Sequence, residues 1–277
     1  MIKKTLLLTL IFFGATKTIA PLNPATITNF VNSATHHDPK ALPSSCYLFD
    51  TDKPLDLMWS ILIPTLVERS QEFEILFTKL LRQIETENLQ TKVEIVFFRD
   101  AREGDVGYKR NQLLANASGK YTCFVDDDDD VHEQYIAMIY QKLLEDCDCV
   151  KLVGIYHHIG FMKRKFIHSI LYNSYFEKDQ VYYRPPNHLN PIKRSISTQF
   201  KFPDQKNFGE DTDWAMQICK ANVIKSEAII EEPYYFYNFD PKKSVSWQKI
   251  QLLHKKSRVN KPKPKPQQKI KLSQIRN

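Results

Sequence analysis

The sequence predicts an α/β protein with a mostly parallel sheet flanked by helices, followed by a less regular C-terminal part. Short apolar runs typical of buried strands alternate with longer runs in which apolar residues recur at helical spacing. Polar clusters follow the predicted strands, as they do at the ligand-binding edge of such sheets. The chain has 277 residues, of which 42% are hydrophobic and only 7 are glycine, and this is the composition of a packed globular protein.

The predicted elements follow one another from residue 59 onward. Strands are predicted at 59–63, 93–98, 121–125 and 150–155, and helices at 73–84, 108–117 and 131–143. Pro64 is expected to end the first strand. A short helix over 208–218 and a last strand over 229–237 complete the pattern.

The ends of the chain are predicted to differ from the central domain, which spans 57–240. Two lysines precede an apolar run near the N-terminus, so residues 1–20 are predicted to be a signal peptide or a short membrane anchor. Residues 21–56 are polar and Pro-dotted and are predicted to be a linker. Residues 241–277 form a basic, Pro- and Lys-rich tail that is predicted to be disordered. We therefore expect a membrane-associated or exported protein.

The charge is concentrated in this tail. The net charge is +7, but residues 254–277 hold nine Lys and Arg and no acid. The rest of the chain has 30 basic and 32 acidic residues, a balance of −2, which argues against a nucleic-acid-binding body. The tail either contacts an anionic membrane surface or only improves solubility. The five cysteines have no spacing typical of zinc sites or of a disulfide framework.

Five aspartates, at 126–130, directly follow the third predicted strand. Two unit charges 4 Å apart repel by about 4 kcal/mol near a protein surface, so a run of five between apolar segments needs compensation. Mg²⁺ and Mn²⁺ prefer such oxygen ligands, and the run therefore predicts a metal site. The alternative is an acidic turn in which one aspartate caps the next helix.

Three polar clusters are expected to meet at one edge of the sheet. Thr65 and Glu68 follow the first strand, Asp100 follows the second, and the aspartate run follows the third. Because the carboxyl ends of parallel strands lie at the same edge, side chains from distant parts of the chain converge there.

Two further groups of residues have the chemistry of a site. Lys109 and Arg110 begin the second predicted helix, where they either bind a phosphate or lie in solvent. Asp211 lies in a late acidic cluster that supplies either a general base or a helix cap. His188 lies in a Pro-rich loop and is either a ligand-contacting residue or an ordinary structural one.

Several of these segments, taken in order, resemble family 2 glycosyltransferases with the GT-A nucleotide-sugar fold. The segments are Ser60-Ile-Leu-Ile-Pro-Thr65, Gly107-Tyr-Lys-Arg-Asn-Gln-Leu-Leu114, Ala117-Ser-Gly-Lys-Tyr121, Phe124-Val-Asp-Asp-Asp-Asp129 and Gly209-Glu-Asp211. The resemblance covers roughly residues 59–237. It implies a metal-dependent, inverting transfer of a sugar from a nucleoside diphosphate, with a UDP-sugar as the default donor and Mn²⁺ or Mg²⁺ as cofactor.

The resemblance also implies roles for individual residues. On the donor side, Thr65 and Glu68 would lie beside the nucleoside, Asp100 would contact the base, and Lys109 or Arg110 would meet the base or the diphosphate. In the Asp-x-Asp motif, Asp126 would bind the ribose or the metal, and Asp128 would bind the metal. Asp211 would be the catalytic base that takes the proton from the acceptor hydroxyl.

The acceptor is expected to be a glycan, a lipid or a protein that contacts the aromatic-rich stretch at 156–203. Since nucleotide sugars are cytosolic, an active enzyme should face the cytoplasm. Two other classes remain open at this point. One is a metal-dependent nuclease or phosphotransferase, which also uses clustered aspartates. The other is an exported binding protein with a structural cation site.

Overall fold

The computed structural model describes residues 27–29, 44–47, 55–158, 162–204, 206 and 208–239. The predicted leader, much of the predicted linker and the basic tail lie outside the described residues. Two short strands fall within the predicted linker. In the described part of the chain, no helix has the length and apolar character needed to cross a membrane.

Helices and strands alternate through the first half of the described domain. The helices are α1 (Ser70–Thr86), α2 (Val106–Asn116), α3 (Tyr135–Leu143), α4 (Arg194–Ser197) and α5 (Glu210–Ala221). The strands are β1 (Ile27–Asn29), β2 (Ser44–Tyr47), β3 (Trp59–Leu66), β4 (Val93–Asp100), β5 (Tyr121–Phe124), β6 (Asp130–Val131), β7 (Cys149–Val150), β8 (Leu152–His158), β9 (Arg164–His168), β10 (Phe176–Lys178), β11 (Val181–Arg184), β12 (Ile192–Lys193), β13 (Glu227–Ala228) and β14 (Tyr235–Phe239).

These strands form two sheets. The larger has the order β1-β2-β4-β3-β5-β12-β7-β13, and the smaller has the order β10-β11-β9-β8-β14-β6. The central strands β4, β3 and β5 are parallel to one another, whereas β2 and β12 join this centre in antiparallel fashion. The α/β prediction is confirmed, and the predicted parallel sheet is the centre of a larger mixed sheet.

Helices cover both faces of the larger sheet because its central strands alternate apolar side chains between two cores. Trp59, Ile61 and Ile63 of β3 pack into the core that contains α1 and α3. Leu62 points the other way, into the core that contains α2 and α5. The period of two along a strand thus produces helix–sheet–helix layers from a nearly continuous apolar run.

The chain passes from the larger sheet to the smaller one three times, the last of them between β13 and β14. The first crossing is the aspartate run, since β5 ends in the larger sheet and β6 begins at Asp130 in the smaller sheet. The second lies at Lys151, between β7 and β8. The prediction of a single strand over 150–155 was therefore wrong. The two sheets separate at Lys151, and the aspartate run borders the space between them.

Other predicted bounds also differ from the structure, and the last strand, predicted over 229–237, is β14 and begins only at Tyr235. β3 continues through Pro64 because β5 pairs with β3 only as far as Leu62, so no partner on that side requires the missing N–H. α2 begins at Val106, which places Lys109 and Arg110 after its first turn. α3 begins at Tyr135, since the preceding Val131 belongs to β6.

Candidate functional site

A cavity of about 950 Å³ opens where β3 and β5 end, between the two sheets. The predicted site residues that line it are Thr65, Lys109, Arg110, Asp126, Asp128 and Asp211. Glu68 and Asp100 are not among its lining residues. The predicted convergence at this sheet edge thus occurs for six of the eight residues.

The two predicted residues outside the cavity lining serve other contacts. Glu68 is half exposed and pairs with Arg102. Asp100 is buried and accepts hydrogen bonds from Nζ of Lys109 at 2.5 Å and from the backbone N–H of Gly104 at 2.9 Å. The Lys109 ammonium is 5% exposed and faces this carboxylate, so its charge is already compensated inside the protein.

Two arginine side chains pair with the first three aspartates of the run. Asp127 is buried, and it accepts hydrogen bonds from the Thr65 hydroxyl at 2.7 Å and from Nη1 of Arg69 at 2.7 Å. The same Arg69 nitrogen lies 3.0 Å from Asp128. Nη2 of Arg110 lies 3.1 Å from Asp126. Two arginines thus face three carboxylates and compensate only part of the charge of the run, so the predicted metal site stays a prediction.

The last two aspartates are also bonded to protein groups. Asp129 accepts hydrogen bonds from the Tyr235 hydroxyl at 2.6 Å and from the backbone N–H of Asn238 at 3.1 Å. Asp130 lies 2.9 Å from Nζ of Lys79. The run is thus tied to β14 and α1, and of its five carboxylates only those of 126–128 line the cavity.

The surroundings of Asp126 and Asp128 shift the pKa values of the two carboxyl groups in opposite directions. Burial raises the pKa of Asp128 to about 6, with Arg69 opposing the shift and the neighbouring Asp126 and Asp127 adding to it. Burial would likewise raise the pKa of Asp126, but the positive charge of Arg110 outweighs it, so that pKa lies below its ordinary value. Asp126 is therefore a permanent anion at the cavity wall.

The carboxylates at the cavity could supply some, but not all, of the ligands of a metal ion. Among the described residues, no group of three or more His, Cys, Asp and Glu side chains is arranged to hold a metal ion. Asp126 and Asp128 nevertheless both face the cavity. Because Mg²⁺ is usually held by one or two carboxylates together with substrate phosphates and water, this pair fits a metal–diphosphate complex and does not fit an all-protein metal cage.

Arg110 links the aspartate run to the late acidic cluster. Its Nη1 lies 3.0 Å from Glu210 Oε1, and its side chain is 6% exposed. The guanidinium also lies over the rings of Phe124 and Phe202, 5.6 Å from each centroid. Glu210 therefore has a structural role in the first turn of α5, and the next residue, Asp211, presents its carboxylate to the cavity with 30% exposure.

His188 lies between the two key carboxylates. Its Nε2 is 3.9 Å from Asp126 Oδ2, and its Nδ1 is 4.0 Å from Asp211 Oδ2. Both separations exceed hydrogen-bond length. The sequence left open whether His188 contacts a ligand or is an ordinary structural residue. The structure places it at the centre of the site.

The smaller sheet forms an aromatic wall on the cavity. Tyr156, Tyr182, Tyr237 and Phe239 all line it. The rings of Tyr156 and Tyr237 are stacked with centroids 5.3 Å apart, and Tyr182 meets Tyr156 edge-on at 6.0 Å. These residues come from the stretch that was expected to contact the acceptor and from the last strand.

Sequence reasoning missed Arg69 and the role of Glu210. Arg69 follows β3 by three positions, so the rule that polar groups gather at strand ends could have identified it. The pairing of Glu210 with Arg110 had no sequence signal, since one hundred positions separate them.

Comparison with known proteins gives one family match and several partial likenesses. The sequence model described as Glycosyl transferase family 2 matches residues 77–204. A curated relative, Glycosyltransferase GlyA of Streptococcus pneumoniae serotype 4, is 32% identical over 84 residues. That alignment covers 30% of this chain and 12% of the relative, so the chain matches only a small part of the relative's length.

Solved structures of TarS from S. aureus are similar to parts of this chain. The structure of TarS 1–349 is 12% identical in sequence and has a TM-score of 0.44. The alignment covers 65% of this chain and 60% of the TarS chain. The structure of TarS 1–349 in complex with UDP-GlcNAc is 12% identical in sequence and has a TM-score of 0.46. That alignment covers 73% of this chain and 67% of the TarS chain. The family match spans β4, α2, β5, the aspartate run and His188, so residues 77–204 of this chain are similar to Glycosyl transferase family 2.

Proposed function

We propose that this protein transfers a sugar from a nucleoside diphosphate to an acceptor hydroxyl, with inversion at the anomeric carbon. The observation that carries the proposal is the position of Asp211, which faces a cavity also bordered by Asp126, Asp128 and Arg110. Three of these four residues lie inside the segment that matches the family. This arrangement supports the proposal because it sets a candidate general base across the cavity from two candidate metal ligands and an arginine.

In this proposal the donor lies along the aspartate run, with its diphosphate near Asp126 and Asp128. These two carboxylates would hold Mg²⁺ or Mn²⁺ together with phosphate oxygens, and the ion would supply positive charge that stabilises the departing diphosphate. Arg69 and Arg110 lie at the same wall and offset part of the negative charge of the run. A UDP-sugar is the first donor to test.

The chemistry assigned to Asp211 is proton abstraction. Its carboxylate takes the proton from the acceptor hydroxyl while that oxygen forms a bond to the anomeric carbon and the bond from that carbon to the diphosphate oxygen breaks. A single displacement of this kind inverts the configuration. Asp213, two residues further along α5, does not compete for this role because it pairs with Lys206 and is 46% exposed.

We propose that the acceptor is a glycan-bearing molecule that lies against the aromatic wall of Tyr156, Tyr182 and Tyr237. Apolar faces of sugar rings pack on aromatic side chains, and the wall borders the cavity that contains Asp211. We also propose that the N-terminal segment keeps the enzyme at the cytoplasmic side of a membrane, where nucleotide sugars are available.

A thermal-shift panel of nucleotides with and without Mn²⁺ tests this function, followed by a transfer assay with the nucleotide sugar that binds. We expect UDP to raise the melting temperature only in the presence of the metal. Phosphodiester cleavage would favour a nuclease instead. If no nucleotide changes the melting temperature, the proposed function is wrong.

A further inference from the structure

The imidazole ring of His188 is held in place by packing and by backbone contacts. Neither of its nitrogen atoms takes part in these contacts. The ring packs edge-on against Phe124, with centroids 5.8 Å apart, and against Phe202 at 6.5 Å. The backbone carbonyl of His188 accepts a hydrogen bond from the N–H of Phe124 at 2.8 Å. Packing and backbone contacts therefore fix where the ring points.

The loop around His188 is stabilised by its neighbours. The Asn187 side chain accepts a hydrogen bond from the backbone N–H of Leu189 and contacts His168, in each case at 3.0 Å. The Asn190 side chain donates to the carbonyl of Val150 at 2.9 Å. The loop conformation thus does not depend on a hydrogen bond from the His188 ring.

Both ring nitrogens are buried and lack a hydrogen-bond partner among the described residues. The ring is 4% exposed and belongs to the cavity lining. Leaving a buried polar atom unpaired costs about 1–3 kcal/mol, so proteins rarely keep two on one side chain without a use. Each nitrogen instead faces a carboxylate across a gap, Asp126 at 3.9 Å and Asp211 at 4.0 Å.

Each separation is longer than a direct hydrogen bond and is one that a single oxygen atom hydrogen-bonded to both groups spans. An oxygen about 2.8 Å from the nitrogen and about 2.8 Å from the carboxylate fits over a separation of 3.9–4.0 Å. A hydroxyl group suits this position because it can donate to the carboxylate and also accept from a ring N–H. Sugars are rich in such groups, and the proposed donor and base sites lie on either side of the ring.

We propose that His188 binds a hydroxyl group of the sugar being transferred, and so positions and selects that sugar between Asp126 and Asp211. This inference rests on the proposed function, since it assigns a contact within the same site. His188 would then touch the substrate directly, in the interval between the diphosphate and the attacking acceptor.

The test compares a nucleotide with its sugar conjugates by calorimetry on the full chain in the presence of Mn²⁺. The probes are UDP, UDP-glucose, UDP-galactose and UDP-N-acetylglucosamine. For the tightest-binding sugar nucleotide, His188→Phe should weaken binding about tenfold, as expected for the loss of one or two hydrogen bonds, and leave UDP binding within twofold. The phenylalanine ring preserves the packing on Phe124 and Phe202.

Two further variants provide controls. His188→Gln retains hydrogen-bonding atoms and should recover part of the lost affinity. His157→Phe changes a histidine of β8 that is not among the cavity-lining residues, and it should bind every probe as the unmodified protein does. Circular dichroism melting curves establish that each variant is folded.

Deoxy derivatives of the same sugar nucleotide identify the contact. Removing the hydroxyl that His188 binds should weaken binding to the unmodified protein about tenfold and have little effect on His188→Phe. Equal losses for UDP and its sugar conjugates would overturn the inference, because His188 would then only support the fold. No loss for any probe would also overturn it and would leave water as the occupant of the gaps. If the unmodified protein binds no nucleotide, the proposed function itself fails and this inference fails with it.

Discussion

Arg110 and Glu210 lie one hundred residues apart in the sequence and form a buried ion pair, with 3.0 Å between Nη1 and Oε1. The pair connects α2 to the first turn of α5. Because the same guanidinium also holds Asp126, it fixes the distance between the aspartate run and Asp211. The geometry of the candidate site therefore depends on one buried cation.

Removing this cation should destabilise the protein strongly. Arg110→Met leaves the carboxylates of Asp126 and Glu210 unpaired in a buried environment, and we expect a loss of about 3–5 kcal/mol in the free energy of unfolding. Urea denaturation measures this change. The matched control is Arg164→Met, which breaks an exposed pair with Glu177 and should cost about 0–1 kcal/mol. Equal effects of the two substitutions would contradict the assigned role of Arg110.

Asp211→Asn should separate binding from chemistry. The amide cannot take a proton from the acceptor, so the transfer rate should fall by about 10²–10⁴-fold while the affinity for UDP stays unchanged. Single-turnover transfer and calorimetry measure the two quantities. Asp213→Asn, on the same helix, should reduce transfer far less because that carboxylate pairs with Lys206. A near-normal rate for Asp211→Asn would place the base elsewhere.

Asp128→Ala should abolish metal-dependent nucleotide binding without unfolding the protein. Asp128 is 37% exposed, and its partner Arg69 retains Asp127 at 2.7 Å, so the loss of this carboxylate leaves no buried charge unpaired. The thermal shift produced by UDP with Mn²⁺ should disappear, and the melting temperature without ligand should change little. Unchanged binding would show that Asp128 does not hold the metal.

Asp148 should make stability depend on pH in the acidic range. Burial opposes its ionisation, but the backbone N–H groups of Lys225 and Ser226 and the ammonium of Lys193 outweigh burial and hold the pKa of Asp148 below its ordinary value. The unfolded chain therefore takes up this proton first on acidification. The contribution is complete above the unfolded pKa of about 4 and is lost as pH falls through the lower folded pKa.

Asp148→Asn should accordingly lower the free energy of unfolding by about 1–2 kcal/mol at pH 7, and the difference from the unmodified protein should shrink below about pH 4. Urea denaturation at several pH values measures it. Glu87→Gln, which changes an exposed carboxylate, is the control. A difference that grows on acidification would contradict the assignment.

Gly107→Ala should disturb the packing that positions α5. An added Cβ would lie 2.2 Å from the carbonyl oxygen of Pro203, which is backbone and cannot move aside as a side chain would. We expect a loss of about 1–3 kcal/mol in the free energy of unfolding, measured by urea denaturation. In Gly104→Ala the nearest atom is a side-chain carbon of Tyr108 at 3.2 Å, so this control should cost less.

The predicted helices and strands of the first half were close to the observed ones because their apolar patterns are local. The strand at 93–98 and the helix at 73–84 each lie within an observed element, β4 and α1. The split of the predicted strand at 150–155 could not be foreseen. A continuous apolar run does not indicate that its residues pair with different neighbours on either side of Lys151.

The sequence by itself determined the helix–sheet alternation and the gathering of Thr65 and the aspartate run at one cavity, because strand direction and strand-end position follow from local order. Only the tertiary structure decided which charges meet. It paired Arg69 with Asp127, enclosed Lys109 with Asp100, and left the ring of His188 facing two carboxylates. Such pairings depend on distances between segments far apart in the chain, and these distances exist only after the two sheets have packed.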